Sequence, residues 1–172
     1  QAKHLVKKIN GFQISTGDIL RDEIKKDTDI GKKIINDMND GKFVSDEIVN
    51  NLISNIIFDP LKKNRLIFDG YPRSLSQATK LNSLLEKSDQ KIDLVFFLNV
   101  NKEIIMERIE KRKIEEKRSD DDLDTILKRY DTYMKTTKPV LDFYSKNMNF
   151  HEIDGSLKID QITNKINDFI NV

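Results

Sequence analysis

Arginines follow three apolar runs of the chain at the points where strands are expected to end. The run FQIS is followed by Arg21, LIFD by Arg73, and FFLN by a helix that carries Arg108 and Arg112. In an open parallel sheet, ligands collect at the carboxyl ends of the strands, where loops meet helix N-termini. Guanidinium groups pair with phosphate oxygens and keep their charge. The sequence therefore predicts a ligand that carries phosphate.

Each arginine taken singly is weak evidence, because an arginine beside a helix is most often a solvated surface charge. Arg108 and Arg112 stand four residues apart on one helix face. Like charges at this spacing repel by about 0.2–0.5 kcal/mol, so a shared anion explains the pair better than stability does. Asp69 has two interpretations on these grounds: a carboxylate that caps the turn after a strand, or one near a phosphate-bound magnesium.

Short apolar runs rich in β-branched and aromatic residues predict the strands that position these side chains. RLIFD (65–69) and DLVFFLN (93–99) are typical of strands buried on both faces, and NFHEID (149–154) is a weaker third. Apolar residues recur at helical spacing between them, which predicts helices at 46–57, 76–86 and 102–112. Strands that alternate with helices indicate an α/β fold with a parallel sheet.

The composition limits the class of protein. With 172 residues, 37% of them apolar, the chain can form one compact domain. It carries 30 Lys and Arg against 29 Asp and Glu, so no basic field predicts a nucleic-acid partner. No apolar run approaches the roughly 20 residues that cross a bilayer, and no cysteine is present. We therefore expect a cytoplasmic protein with neither a membrane nor a nucleic-acid partner.

Two polar segments interrupt the alternation and look like insertions. Residues 27–41 are polar with helical spacing, and residues 113–122 (KIEEKRSDDD) are a dense run of charge that would equally fit a solvated loop. Residues 1–10 predict a helix, although a helix packed on a parallel sheet normally follows a strand. We therefore expect that the chain as given begins after its first strand.

Several motifs taken together resemble the adenylate kinases, a family of nucleoside monophosphate kinases. The motifs are STGDILR (15–21), DGYPRS (69–74) with Gln77 four positions after Arg73, Glu107-Arg108 to Lys111-Arg112, RSDD (118–121), Lys128-Arg129 and IDGS (153–156). They cover essentially the whole chain in the family's order. The resemblance implies a P-loop NTPase-like fold of three α/β/α layers around a five-stranded parallel sheet. FQIS would be its second strand, and the turn that follows would form the floor of the monophosphate site.

The resemblance also implies which residues bind AMP. Its adenine and ribose would be held by Thr16, Lys42, Val44, Gly70 and Gln77, and its phosphate by Arg21 and Arg73. Arg118 and Arg129 would also contact AMP and, with Arg73, Arg108 and Arg112, would form the catalytic set around the transferring phosphoryl group.

The same resemblance implies which residues bind ATP, the phosphate donor. ATP would be bound by Arg108 and Arg112 and, at its adenine, by the backbone of Ser156 and Leu157. Asp120 and Asp121 would help to hold the lid, and Asp69 and Asp18 would lie near Mg²⁺ through water.

The resemblance also implies roles for the two insertions. Residues 27–46 would be the mobile AMP-binding segment and residues 113–122 the lid, in a single monomeric domain (1–172) whose core is 1–26, 47–112 and 123–172. Only five residues separate Arg112 from Arg118, which resembles the members with a short lid. Those members usually carry glycine and small residues there, whereas KIEEK is charged and bulky. A longer lid that this chain lacks stays an alternative.

One family motif, the phosphate cradle G-x-x-G-x-G-K-[ST], does not occur in these residues, and neither does the strand that precedes it at the centre of the family's sheet. A sheet without that strand would leave backbone groups unpaired in the core, at about 1–3 kcal/mol each. We therefore expect both elements to lie ahead of Gln1.

Three functions follow in order of preference. The first is transfer of phosphate from Mg·ATP to AMP, giving two ADP by direct in-line displacement. The second is a pyrimidine (UMP/CMP) kinase, against which Thr16 argues, because the pyrimidine enzymes tend to carry Ala there. The third is a catalytically inactive nucleotide-binding protein that has lost the cradle.

Overall fold

The computed structural model describes residues 1–62, 65–116, 123–146 and 149–170. Its strands are β1 (Phe12–Ser15), β2 (Leu66–Asp69), β3 (Val95–Asn99) and β4 (Phe150–Asp154). Its helices are α1 (Ala2–Ile9), α2 (Thr16–Lys25), α3 (Asp29–Asn39), α4 (Asp46–Ile57), α5 (Leu75–Lys87), α6 (Lys102–Glu116), α7 (Leu123–Thr132), α8 (Lys138–Ser145) and α9 (Ile159–Phe169). A 3-10 turn at Pro60–Lys62 and a π-helical turn at Tyr133–Thr137 complete the described elements.

The strands pair in parallel, as the alternation of strands and helices predicted. β1 pairs with β2 from Phe12 opposite Leu66 to Ser15 opposite Asp69. β3 pairs with β4 along its whole length. Strands from distant parts of the chain thus end side by side, which confirms the α/β class.

The size of the sheet differs from the prediction. The described strands form two sheets of two strands each, β1 with β2 and β3 with β4, rather than one sheet of five. In the predicted sheet the central position belongs to the strand that the sequence analysis placed ahead of Gln1. A pair of strands gives neighbouring helices a narrower surface to cover, and β2 and β3 are accordingly half-buried rather than buried on both faces.

The helices agree with the sequence patterns except at their ends. α4 has the predicted bounds, while α6 continues through Glu116 instead of ending at Arg112. The added residues are mostly good helix formers, so nothing in them stops the helix. The polar segment 27–41 contains the predicted helix, α3, but Ile34 and Met38 on that helix are buried in the core.

Apolar side chains gather in three clusters. The largest joins β1 and β2 to α2, α3, α4 and α5, and it includes the fully buried Ile14, Ile34, Ile53 and Leu81. A second cluster packs α5 and α8 near β3, and a third packs β4 against α9 with Leu5 of α1. The first cluster fixes the ends of β1 and β2 relative to α4 and α5. No helix in the described part of the chain is long and apolar enough to cross a membrane.

Helices α2 and α3 approach each other closely at Gly31. Thr28 caps α3 by accepting a hydrogen bond from the Gly31 N–H at 2.9 Å, and its hydroxyl donates to Glu23 Oε2 at 2.6 Å. A Cβ atom built on Gly31 would lie only 2.3 Å from the Glu23 carbonyl oxygen. The contact therefore requires a residue without a side chain.

We expect Gly31→Ala to lower the free energy of unfolding by about 1–3 kcal/mol, because the new methyl group must push the two helices apart. Urea denaturation measures the change. Lys33→Ala on the exposed side of the same helix is the control, and its effect should stay within about 0.5 kcal/mol. Equal stability of the two variants would contradict the close contact.

Candidate active site

A cavity of about 1140 Å³ lies where β1 and β2 end, and it gathers most of the residues that the sequence analysis assigned to a site. Ser15 and Asp69 are the last, paired residues of the two strands, so the turns that follow them are neighbours. The assigned residues that line the cavity are Thr16, Asp18, Arg21, Lys42, Val44, Asp69, Gly70, Arg73, Gln77, Arg112 and Arg129.

Three other assigned residues, Arg108, Ser156 and Leu157, do not line this cavity. Arg108 is exposed on α6. Ser156 bonds to Asp154 Oδ1 through its N–H at 2.9 Å and its hydroxyl at 2.6 Å, and Leu157 packs on the third apolar cluster. Arg118, Asp120 and Asp121 lie outside the described residues.

The floor of the cavity is the turn from β1 into α2. Thr16 is 5% exposed, and its hydroxyl donates to the Gly70 carbonyl at 2.8 Å, which ties the floor to the turn after β2. Asp18 accepts a hydrogen bond from Arg21 Nη2 at 2.6 Å in an ion pair. Gly70 has φ +71°, a left-handed conformation that favours glycine. Backbone geometry and short side-chain contacts thus define this end of the cavity.

Arg73 makes four contacts with its surroundings. Its Nε donates to the Gly70 carbonyl at 2.8 Å, and its backbone N–H donates to Gln77 Oε1 at 2.7 Å. Its carbonyl accepts from the Thr137 hydroxyl at 2.9 Å. The guanidinium lies 4.9 Å from the centre of the Phe43 ring, within the range of a cation–π contact. Two of these contacts hold the backbone and two hold the side chain, so Arg73 is positioned before any ligand binds.

Two other arginines, Arg129 and Arg21, lie close enough to Arg73 to affect its pKa. Burial is the main cause that lowers the pKa of its guanidinium, and the charges of Arg129 and Arg21 lower it further, while Asp69 acts in the opposite direction. Arginine nevertheless stays protonated, because its ordinary pKa is so high. Since three guanidinium groups influence one another here, an anion between them would be stabilised.

Gln77 takes part in a polar network that the sequence did not indicate. The residue is 4% exposed, and its Nε2 donates to Asp46 Oδ1 at 2.7 Å. Asp46 Oδ2 accepts from the Ser74 hydroxyl, also at 2.7 Å. An acidic residue at the start of a helix is common for local reasons. Asp46 at the start of α4 therefore gave no signal of a contact with α5.

Phe43 and Thr137 were missed for a related reason. Phe43 stands beside Lys42 in a segment with no periodic pattern, and Thr137 lies in the π-helical turn more than sixty residues from Arg73. Their contacts depend on how distant parts of the chain pack, so spacing in the sequence could not have found them.

Two carboxylates of the cavity are compatible with a bound magnesium ion. Asp18 and Asp69 are both exposed and line the same cavity. Asp69 Oδ2 accepts a hydrogen bond from Gln13 Nε2 at 2.8 Å. Among the described residues no group of three or more His, Cys, Asp or Glu side chains could hold a metal ion. Mg²⁺ is commonly bound by one or two carboxylates, waters and substrate phosphates, so this donor set is sufficient.

The chain is similar to known proteins along its whole length. The family model described as adenylate kinase matches residues 1–149. The adenylate kinase of Pelagibacter ubique (strain HTCC1062) is 48% identical to this chain. The alignment is 198 residues long and covers 100% of this chain and 93% of that protein. The adenylate kinase of Mycoplasma capricolum subsp. capricolum is 38% identical, with 96% of this chain and 90% of that protein covered. The chain belongs to the adenylate kinase family.

Another relative agrees with this assignment. The adenylate kinase of Porphyromonas gingivalis (strain ATCC BAA-308 / W83) is 33% identical, with 96% of this chain and 86% of that protein covered. Membership of the adenylate kinase family confirms the resemblance and makes the chain a nucleoside monophosphate kinase. A pyrimidine kinase and a catalytically inactive nucleotide-binding protein are not favoured, since these relatives are all adenylate kinases.

Proposed function

We propose that the cavity binds AMP and that the protein transfers the terminal phosphoryl group of Mg·ATP to it, reversibly giving two ADP. The observation that carries the proposal is the convergence of Arg73, Arg129 and Arg21 on a cavity that also contains the buried amide of Gln77. Guanidinium groups suit the phosphate of a nucleotide, and a buried amide suits the polar edge of its base.

The acceptor phosphate would lie between Arg73 and Arg21. Nε of Arg73 is used by the Gly70 carbonyl, so the side chain would offer its two terminal nitrogens as a fork to two phosphate oxygens. Arg21 is paired with Asp18 at 2.6 Å. A guanidinium has five N–H donors, so Arg21 can contact a phosphate and keep this pair.

The adenosine part of AMP would occupy the neighbouring wall. Val44 and Thr16 are buried there, and Gln77 supplies an amide that can both donate and accept. Gly70 and Lys42 line the same space. A wall with apolar surface and few polar groups is typical of a site that fixes the orientation of a base.

Phosphoryl transfer needs alignment and neutralised charge more than covalent work by the protein. Arg112 and Arg129 line the cavity with Arg73 and would neutralise charge on the transferring group. We assign Arg108 and Arg118 to the same role and Ser156 and Leu157 to the ATP adenine on the family resemblance. Closure of residues 27–46 and of the lid 113–122, with Asp120 and Asp121 holding the lid, would exclude water.

Magnesium bound with the donor nucleotide would neutralise phosphate charge, and Asp69 and Asp18 would hold its water ligands. This role fits two exposed carboxylates in one cavity. Action as a monomer in the cytoplasm is part of the proposal; the monomeric state rests on the family resemblance and the location on composition.

The acceptor preference tests the proposal directly. In a coupled assay of ADP formation with the full-length native protein and Mg·ATP, AMP should give a higher kcat/KM than CMP or UMP. A preference for CMP or UMP would instead support a pyrimidine kinase. Absence of transfer to all three would support the inactive alternative.

We expect Arg73→Lys to lower kcat/KM for AMP by at least about tenfold, because an ammonium group keeps the charge but cannot form the two-pronged contact. The free energy of unfolding should change little by comparison. Arg65→Lys is the matched control, since Arg65 does not line the cavity. If Arg73→Lys retained the kcat/KM of the wild type, the assignment of Arg73 to the phosphate would be wrong.

A further inference from the structure

Asp46 connects the AMP-binding segment to the loop that carries Arg73. The residue begins α4, and its carboxylate is half-buried against the start of α5. One oxygen accepts from Gln77 Nε2 and the other from the Ser74 hydroxyl, both at 2.7 Å. Ser74 Oγ in turn accepts from the Gln77 backbone N–H at 3.1 Å. Both carboxylate oxygens are therefore engaged with the first turn of α5.

These contacts determine which way the Gln77 amide faces. A carboxylate can only accept hydrogen bonds, so the NH₂ end of the amide must face Asp46. The Oε1 end then faces the Arg73 backbone N–H, which donates to it at 2.7 Å. The reversed amide would set oxygen against carboxylate on one side and N–H against N–H on the other. The hydrogen-bond network thus allows one orientation.

One donor and one acceptor of the fixed amide are not used by this network. A primary amide has two N–H donors and an oxygen with two lone pairs, and the network uses one of each. Gln77 lines the cavity in which we place AMP. A donor and an acceptor side by side complement the edge of adenine, which carries an amino donor next to a ring-nitrogen acceptor. Hypoxanthine has nearly the same shape but reverses the two, with a carbonyl oxygen beside a ring N–H.

We propose that Asp46 is a positioning residue that sets the base selectivity of the acceptor site by holding the Gln77 amide in the orientation that matches adenine and opposes hypoxanthine. The inference rests on the proposed function, because it assumes that AMP occupies this cavity. Asp46 itself acts only through Gln77 and touches no reacting atom.

The test compares AMP with IMP as acceptors in the wild-type protein and in Asp46→Asn. An asparagine can donate as well as accept, so it no longer forces the amide one way. We expect the ratio of kcat/KM for AMP over IMP to fall by about tenfold, the change that corresponds to loss of one hydrogen bond between neutral groups. A purely structural role would lower both values together and leave the ratio unchanged, which would overturn the proposal.

Two further variants make the result specific. Glu47→Gln removes the neighbouring carboxylate in the same helical turn, where it is exposed, and should leave the ratio at the wild-type value. In Gln77→Met, which lacks the amide, adding Asp46→Asn should change the ratio no further. A second fall of similar size in that background would show that Asp46 acts by another route and would contradict the proposal.

A measurement on the wild-type protein needs no variant at position 46. The side-chain amide protons of Gln77, assigned by their loss in Gln77→Met, should exchange slowly with solvent in NMR spectra recorded without nucleotide. Rapid exchange of both protons would refute the fixed amide even if Asp46→Asn failed to fold. Failure of the wild type to phosphorylate AMP would instead contradict the proposed function. The exchange data would still decide whether the Gln77 amide is fixed.

Discussion

The position of Arg73 depends on contacts from three separate parts of the chain. The register of β1 and β2 sets Thr16 beside Gly70, and the Gly70 carbonyl accepts hydrogen bonds from both Thr16 and Arg73. Residues 27–46 add the ring of Phe43, and the π-helical turn adds the hydroxyl of Thr137. Because each contact comes from a different element, the proposed phosphate site can form only when the first apolar cluster is packed.

The same arrangement supports the proposal that the site binds a nucleotide. Partly buried guanidinium groups close together raise the free energy of the protein, as the lowered pKa of Arg73 indicates. A phosphate recovers that free energy through charge-assisted hydrogen bonds, and the more so because the site is shielded from water. In our proposal the Asp46 carboxylate fixes the amide that reads the base, close to Arg73, so recognition of phosphate and of base would depend on one turn of the chain.

The sequence predicted the class of the fold because it is encoded locally. Apolar runs predicted the strands, and the arginines at the ends of β1 and β2 line one cavity. The described strands form two pairs instead of one sheet of five, and the pattern within a strand could not predict which strands are neighbours. Asp46, Phe43 and Thr137 were missed because their contacts join residues far apart in the chain.

The central claim, that the arginines around Arg73 form a site for the phosphate of a nucleotide, is tested most directly by calorimetric titration of the full-length protein with AMP and with adenosine. The two ligands share base and ribose and differ only in the phosphate. We expect AMP to bind about 10- to 100-fold more tightly, as hydrogen bonds to a charged group of about 1.5–3 kcal/mol require. Equal affinities for AMP and adenosine would contradict the account.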